Sequence, residues 1–143
     1  MHWADHTAMR LSKQYDSQVI ASGITPSGEF HIGHLREILT AEMIHRACLD
    51  AEIDSEYIFI VDSMDPLRRV YGFLSEEYQE YIGYPLVNIP APNPDGTPNH
   101  EGGNYANHFL QPFLEALKEI GVHPKVVMNH ETYDSGDFAT KID

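Results

Sequence analysis

The chain has 143 residues, of which 42 % are hydrophobic, with nine Lys and Arg against 22 Asp and Glu and a formal net charge of −13 at pH 7. This composition fits one globular domain and argues against a broad surface that grips nucleic acid through its phosphates. There is no apolar run long enough to cross a bilayer, no signal peptide core, and only one cysteine, Cys48, so we expect a cytoplasmic protein without disulfides.

The first half of the chain has the pattern of a strand, a turn, a helix and a second strand. Residues 18–23 (QVIASG) are typical of a short buried strand, after which Pro26 and Gly28 break the chain. Residues 31–50 have helical composition, and residues 57–61 (YIFIV) are apolar on both faces, as in a central parallel strand. This order predicts a βαβ unit, and therefore an α/β fold with a parallel sheet.

The second half of the chain is less regular. Residues 66–103 are rich in proline and glycine without a hydrophobic period, which indicates an excursion from the sheet. Apolar residues on one helical face then span 109–120, with Pro112 in an awkward position, and residues 125–129 (KVVMN) predict a third short strand. We expect three segments: a first βαβ half at 1–65, a connecting insertion with a helix at 66–121, and a return strand with a tail at 122–143.

The segment TPSGEFHIGH at residues 25–34 places two histidines around a glycine at the predicted start of the helix. The first turn of a helix offers unpaired N–H groups and a partial positive charge, both of which suit phosphate. His31 and His34 share one side of this turn, and Gly33 lets a flat ring such as adenine approach the backbone. The two histidines are candidate catalytic residues that stabilise charge on a phosphate. The alternative is a helix start with two surface histidines.

Several segments resemble the class I aminoacyl-tRNA synthetases. HIGH after SGITPSGEF is similar to the ATP-binding signature of that superfamily. HWAD near the start, DSMDPLRR, YIGYPLVNIPAP, NYANHF and the closing YDSGDF resemble the class I lysyl-tRNA synthetases, so the resemblance covers nearly the whole chain. HIGH alone marks the superfamily, whereas GITPSG and DPLRR are more specific and favour lysine as the amino acid.

The resemblance implies a Rossmann-like fold, the HIGH-type nucleotide-binding fold, of which this chain would be the first half. Enzymes of this kind use ATP and Mg²⁺ to activate lysine and then ligate it to tRNA(Lys). By this resemblance, ATP would be bound by residues of the turn and of the helix start: Pro26, Gly28, His31, Gly33 and His34.

The resemblance also implies a lysine pocket. The SGIT segment lines the amino-acid pocket in this family, so Gly23 and Thr25 would select lysine, since a glycine gives room and a hydroxyl can bind an amine or a carboxylate. Asp62 and Asp65, just past the second predicted strand, would face the lysine ammonium or Mg²⁺. The alternatives are an ordinary turn hydroxyl for Thr25, and capping of the turn before Pro66 for the two carboxylates.

The chain departs from the resembled family in what it lacks. Its four lysines do not form a second ATP signature loop of the Lys-Met-Ser-Lys-Ser type, and 143 residues cannot hold a second βαβ half and an anticodon-binding domain. We therefore expect a catalytic-domain fragment that does not charge tRNA by itself. An unpaired sheet edge in such a fragment would favour self-association.

The irregular segment contains a candidate metal site. Asp95, His100 and His108 fall within PDGTPNHEGGNYANH, Zn²⁺ favours such N and O ligands, and a loop without a core gains most from a metal clip. The resembled family can carry zinc in this insertion. No cysteine lies nearby, so Asn99 or a water would have to complete the shell, and solvated loop residues are the alternative.

Two other functions stay open from the sequence. A small nucleotidyltransferase shares the H-x-G-H helix start and a similar length. Such enzymes normally carry a second basic motif late in the chain, where this chain has only Lys141. A non-catalytic paralogue would keep a pocket for an amino acid or a nucleotide and lack the second half of the fold.

Overall fold

The structure is a computed structural model that describes residues 1–136. It contains four helices and five strands within these residues, together with two short 3₁₀ helices. In chain order they are α1 (Trp3–Leu11), β1 (Ser17–Ile24), α2 (Ile32–Asp50), β2 (Asp54–Val61), the 3₁₀ helices Glu76–Tyr81 and Leu86–Asn88, β3 (Pro90–Pro92), β4 (Pro98–Asn104), α3 (Tyr105–Glu119), β5 (Lys125–Met128) and α4 (Asn129–Asp134).

A parallel sheet of three strands organises the fold. β2 lies in the middle, with β1 on one side and β5 on the other. The register pairs Val61 of β2 with both Ile24 of β1 and Met128 of β5, so the C-terminal ends of the three strands meet at one edge. The predicted α/β fold with a parallel sheet is confirmed.

The core between α2 and the sheet contains few polar groups, and those it holds are paired. Buried side chains of α2, β2 and α3 form it: Ile38, Ala41, Tyr57, Phe59, Val61, Leu110 and Leu117. The hydroxyl of Tyr57 pairs with that of Ser22 at 2.7 Å, and Glu42 is buried on α2 beside Arg46 with 2.6 Å between the charged groups. Such pairing is what buried polar groups require.

The helix predicted at 109–120 begins earlier in the structure and runs through Pro112. Asn104 explains the start, because its side-chain oxygen accepts the backbone N–H of Asn107 at 2.9 Å and so caps α3. The first turns of α3 pack into a second core of aliphatic and aromatic side chains, while Leu110 and Leu117 belong to the core of the sheet. One helix therefore fixes both cores relative to each other.

The segment predicted to be irregular has regular elements of its own. β3 and β4 pair antiparallel, and the second core covers their inner side with residues of the connecting segment and of α3: Leu67, Leu74, Tyr78, Leu86, Ile89, Tyr105, Ala106 and Phe109. Pro90, Pro92 and Pro98 fit this two-stranded sheet because proline is tolerated where a strand has no further neighbour. Burial raises the pKa of Tyr78 to about 12, so this second core stays uncharged.

Two further elements were not predicted from the sequence. α1 packs on α2 through small side chains, with Ala4 and Ala8 against Ala47 and Cys48. α4 follows β5 directly and carries Asn129 and His130 at its start, and the final residues with Lys141 lie outside the described part of the chain.

Between residues 1 and 136, no helix has both the length and the apolar composition that crossing a bilayer requires. The division into three segments stays a prediction.

Two glycines of the β3–β4 region test the packing of this segment. Gly96 and Gly103 both have left-handed backbones, with φ of +85° and +86°. A Cβ on Gly96 would lie 2.5 Å from the carbonyl oxygen of Phe73, whereas a Cβ on Gly103 would meet nothing within 4 Å. We expect Gly103→Ala to lower the free energy of unfolding by about 1 kcal/mol. Gly96→Ala should lower it by about 3 kcal/mol or more, because backbone must also move.

Urea unfolding of the two variants and of the wild type measures both effects. Because Gly103→Ala has the same left-handed strain without the clash, it is the matched control. Equal losses in the two variants would contradict the packing of Gly96 against the backbone of Phe73.

Candidate functional site

The turn between β1 and α2 lies at the C-terminal edge of the sheet and is anchored from two sides. The N–H of Asp62, just past β2, donates to the carbonyl of Ile24 at 2.7 Å. From the other side, the hydroxyl of Tyr105 at the start of α3 donates to the carbonyl of Ser27, also at 2.7 Å. Both cores therefore hold the turn, and ligands of open α/β sheets bind at this edge.

His31 and His34 cap the start of α2 reciprocally. Nδ1 of His31 accepts the backbone N–H of Gly33 at 3.0 Å, and Nδ1 of His34 accepts the backbone N–H of His31 at 3.0 Å. A ring nitrogen that accepts a hydrogen bond carries no proton, so both imidazoles are neutral with the proton on Nε2. The two ring centroids lie 4.0 Å apart. The pair thus offers two Nε2–H donors side by side.

The surroundings of His34 favour this neutral form. Burial lowers the pKa of His34 below its usual value, and the repulsion that His31 would exert if it were charged lowers it further. The ring of Phe30 approaches that of His34 edge-on, with 5.2 Å between the centroids, and contributes to that burial. At pH 7 the His34 ring can therefore donate through Nε2 without carrying a charge.

This geometry corrects one part of the sequence-based argument. The free N–H groups of the helix start were expected to bind phosphate. The N–H groups of His31 and Gly33 are instead occupied by imidazole nitrogens. His31 and His34 keep their Nε2–H groups as donors, so their predicted contact with phosphate would be made by the side chains.

Gly33 has a structural reason to lack a side chain. A Cβ at this position would lie 2.8 Å from Cε1 and 3.0 Å from Nδ1 of the His31 ring. Contacts this short would push the ring away from the N–H that it accepts. The glycine is therefore required by the cap itself, and the room that it leaves for a flat ring is additional.

Four of the predicted site residues line one cleft beside this cap. Gly23, Thr25, His34 and Asp62 surround a cavity of about 530 Å³, together with Glu37, which the sequence did not single out. The carboxylate of Glu37 accepts the N–H of Gly23 at 3.4 Å. Its position three residues after His34, on the same side of α2, was the signal that could have identified it. The cleft thus combines an uncharged donor with two carboxylates.

Asp65 lies apart from this cleft. Its two carboxylate oxygens accept hydrogen bonds from one nitrogen of Arg68, at 2.9 and 3.2 Å, and this pairing raises the pKa of the Arg68 guanidinium. Asp65 lines a neighbouring cavity of about 320 Å³, which it shares with Thr25 and Ser27 but not with Asp62. The structure therefore places Asp62 and Asp65, both of which were expected to face the lysine ammonium or Mg²⁺, in different cavities.

The remaining predicted ATP-binding residues divide in the same way. Gly28 lines a third cavity of about 390 Å³ with His31 and His34, and a Cβ on it would come within 3.3 Å of the ring of Phe73. Pro26 is fully buried and shapes the turn without facing any of these cavities. Thr25 and Ser27 line all three cavities, so the three form one groove around the turn.

The predicted zinc site is not supported. Across residues 1–136, no group of three or more His, Cys, Asp or Glu side chains is placed to hold a metal ion. The Asp95 carboxylate accepts from the N–H and the hydroxyl of Thr97, which lowers its pKa. His100 lies on β4, while His108 lies on α3 against the ring of Phe109. The three residues are close in sequence but are not brought together, because β4 and the start of α3 lie between them.

A parallel sheet with an HIGH segment at the start of the helix after β1 is the arrangement of the nucleotide-binding fold of class I aminoacyl-tRNA synthetases. A family model described as tRNA synthetases class I (K) matches residues 1–143. The chain therefore belongs to this family, as its motifs indicated.

Three archaeal proteins, each named lysine–tRNA ligase, are similar to the chain. That of Methanosarcina barkeri is 44 % identical over 142 residues, which cover 99 % of this chain and 25 % of the relative. That of Archaeoglobus fulgidus is 48 % identical over 136 residues, 95 % of this chain and 26 % of the relative. That of Methanocaldococcus jannaschii is 43 % identical over 146 residues, with coverages of 99 % and 26 %. The chain spans about a quarter of the length of these relatives.

The reciprocal cap predicts that the effect of Gly33→Ala changes sign with the residue at position 31. With His31 present, the added Cβ displaces the ring and we expect a loss of about 1 kcal/mol in the free energy of unfolding. In a His31→Ala background no ring is displaced, so the same change should stabilise α2 by up to about 1 kcal/mol, as alanine replaces glycine in a helix.

Urea unfolding of the wild type, the two single variants and the double variant gives this comparison. Destabilisation by Gly33→Ala of the same size in both backgrounds would show that the His31 ring does not lie against Gly33.

Proposed function

We propose that this chain binds lysine and ATP, and that it is the first part of the catalytic domain of a lysine–tRNA ligase. The observation that carries the proposal is the cleft of Gly23, Thr25, His34, Glu37 and Asp62. One side of this cleft offers a neutral donor suited to phosphate, and the other offers carboxylates suited to an ammonium group.

The phosphate side consists of His34 in the cleft and of His31, which lines the adjoining cavity with it. Their Nε2–H groups would donate to oxygens of the ATP α-phosphate. In the activation step a carboxylate oxygen of lysine attacks the α-phosphorus, a new P–O bond forms, and the bond to pyrophosphate breaks. Negative charge grows on the α-phosphate oxygens during this step. Preorganised donors at His31 and His34 would therefore stabilise the transition state more than the ground state.

The lysine side consists of the carboxylates of Glu37 and Asp62. Lysine has two ammonium groups, and a cleft that offers two separate carboxylates can pair with both, which distinguishes lysine from amino acids with uncharged side chains. Gly23 lines the cleft without a side chain and so would leave space for the substrate. Packing alone does not require a glycine there, since a Cβ would make only an ordinary contact of 3.5 Å with the carbonyl oxygen of Ile60. Thr25 lines the same cleft, and its hydroxyl would bind the substrate carboxylate or amine.

Magnesium would bind together with ATP, as the complex of the nucleotide with Mg²⁺. Enzymes of this family use ATP with Mg²⁺, and this ion commonly binds through phosphate oxygens and one or two carboxylates instead of a cage made by the protein. Residues 1–136 provide no cluster of three potential ligands, so we assign no step to a metal held by this part of the chain alone.

Transfer of lysine to tRNA belongs to the proposal for the whole protein. The relatives are about four times as long as the aligned region, and the net charge of −13 does not suit a broad tRNA-binding surface on this chain. We therefore assign lysine and ATP to the described groove, and contacts with the body of tRNA(Lys) to other parts of a complete ligase.

A tryptophan at position 23 tests the placement of the lysine site. Gly23→Trp should fill the cleft and abolish binding of a non-hydrolysable lysyl-adenylate analogue to the 143-residue chain, as measured by calorimetry. Val19→Trp is the matched control, since Val19 lies on the same face of β1, is 65 % exposed, and lines none of the three cavities of the groove. We expect this control to bind the analogue with an affinity within about twofold of the wild type, as is usual for changes away from a site.

The same titrations distinguish the proposal from its alternatives. Preferential binding of CTP would favour a nucleotidyltransferase, and preferential binding of another aminoacyl-adenylate analogue would contradict the assignment of lysine. Pyrophosphate exchange in the presence of lysine then separates an active enzyme from a binding module.

A further inference from the structure

A hydrogen-bonded chain of side chains lies behind Asp62 and joins the ends of two strands. Ser63, two residues after the end of β2, is fully buried, and its hydroxyl lies 2.9 Å from Oδ1 of Asn129 at the start of α4. The backbone N–H of Met64 donates to the same oxygen at 3.1 Å. The other end of the Asn129 amide donates from Nδ2 to Oδ1 of Asp62. None of these contacts was apparent from the motifs.

The contacts fix the orientation of the Asn129 amide. A backbone N–H can only donate, so the amide atom that faces Met64 must be the oxygen. The opposite amide atom is then the nitrogen, which can only donate, and it faces the carboxylate of Asp62. Rotating the amide by half a turn would place two donors together at Met64 and two acceptors together at Asp62.

His130 continues this series of hydrogen bonds. The hydroxyl of Ser63 has one proton, which goes to Oδ1 of Asn129. Nδ1 of His130 lies 2.7 Å from the Ser63 oxygen and must therefore donate to it. Each donor thus points toward the carboxylate, in the order His130, Ser63, Asn129, Asp62. Successive hydrogen bonds of one direction polarise and strengthen one another in a buried setting.

Asp62 is the one residue of this hydrogen-bonded series that lines the cleft. It lines the cavity beside Gly23, Thr25 and His34, and Asn129 contacts only one of its two oxygens. We propose that Asn129 is a positioning residue, which turns the carboxylate of Asp62 so that its second oxygen, Oδ2, accepts an ammonium group of lysine. The inference rests on the proposed function, since it concerns the same site. Ser63 and His130 hold Asn129 in place.

A double-mutant cycle with two ligands tests this role. Asn129→Ala should weaken binding of the lysyl-adenylate analogue about tenfold, the size expected for a lost hydrogen bond to a charged group. Binding of ATP alone should change less than about twofold, because Asp62 faces the lysine side of the cleft. In an Asp62→Asn background, Asn129→Ala should add less than about twofold, because no carboxylate remains to be positioned.

Two further variants complete the design. Ser63→Ala removes the support of Asn129 with a minimal change of volume, and should weaken the analogue about threefold, again only where Asp62 is intact. Asn107→Ala is the matched control, as Asn107 is an exposed asparagine on α3 that lines none of the cavities described above. Thermal melting checks that each variant is folded, and Ser63→Ala decides the question if Asn129→Ala does not fold.

The outcomes separate the inference from the function on which it rests. Tenfold weakening that depends on Asp62 and spares ATP supports it. Equal weakening of both ligands, or the same weakening in the Asp62→Asn background, would show a general structural role and overturn it while leaving the lysine site intact. A wild-type chain that binds neither lysine nor the analogue would overturn the proposed function, and this inference with it.

Discussion

The hydrogen bonds from backbone N–H groups to Nδ1 of His31 and His34 are the constraint on which the site depends. They require both rings to be neutral, and they leave the ring proton on Nε2. They also require Gly33, since any side chain would displace the His31 ring. The tautomers, the glycine and the start of α2 are thus parts of one arrangement. Its result is a pair of preorganised donors whose formation needs no proton transfer, and this suits them to stabilise charge on a phosphate.

The sheet brings the acidic side of the site to these donors. Because β1 and β2 are parallel neighbours, Thr25 and Asp62 leave the sheet at the same edge. The hydroxyl of Tyr105 secures the turn from α3, and burial raises the pKa of that hydroxyl, so it remains a donor to the carbonyl of Ser27. On the other side of β2, Asn129 directly follows β5, and its side-chain amide donates a hydrogen bond to Asp62. The ends of β1 and β2 therefore line the groove, and the end of β5 supports it from behind through Asn129.

Those parts of the fold that have a clear period could be predicted from sequence. The apolar strands and the helix between them identified the βαβ unit, and the histidine segment located the groove. The second core, between the connecting segment and α3, could not be predicted, because its members are spaced irregularly and the strands β3 and β4 are too short to show alternation. α1 was missed as well, since it packs through the small side chains of Ala4 and Ala8 rather than through a large apolar stripe.

Candidate site residues could be proposed from the sequence where they lie close together along the chain, and they were missed where they meet through distant contacts. His31 and His34 were singled out because they are three residues apart, although their role as caps was not foreseen. Asn129 lies 67 residues from Asp62, so no local pattern joins them. The zinc prediction made the opposite error, because it took Asp95, His100 and His108 to be neighbours on the ground of their short separation in the chain.

The protonation of the two imidazoles is the most direct test of this account. A long-range ¹H–¹⁵N NMR spectrum at pH 7 distinguishes Nδ1 from Nε2 in each ring, with His31→Ala and His34→Ala giving the assignment. The account predicts that both rings are neutral, with the proton on Nε2, and that addition of ATP with Mg²⁺ perturbs both Nε2 signals. A proton on Nδ1 of either ring, or Nε2 signals that ATP leaves unchanged, would contradict it.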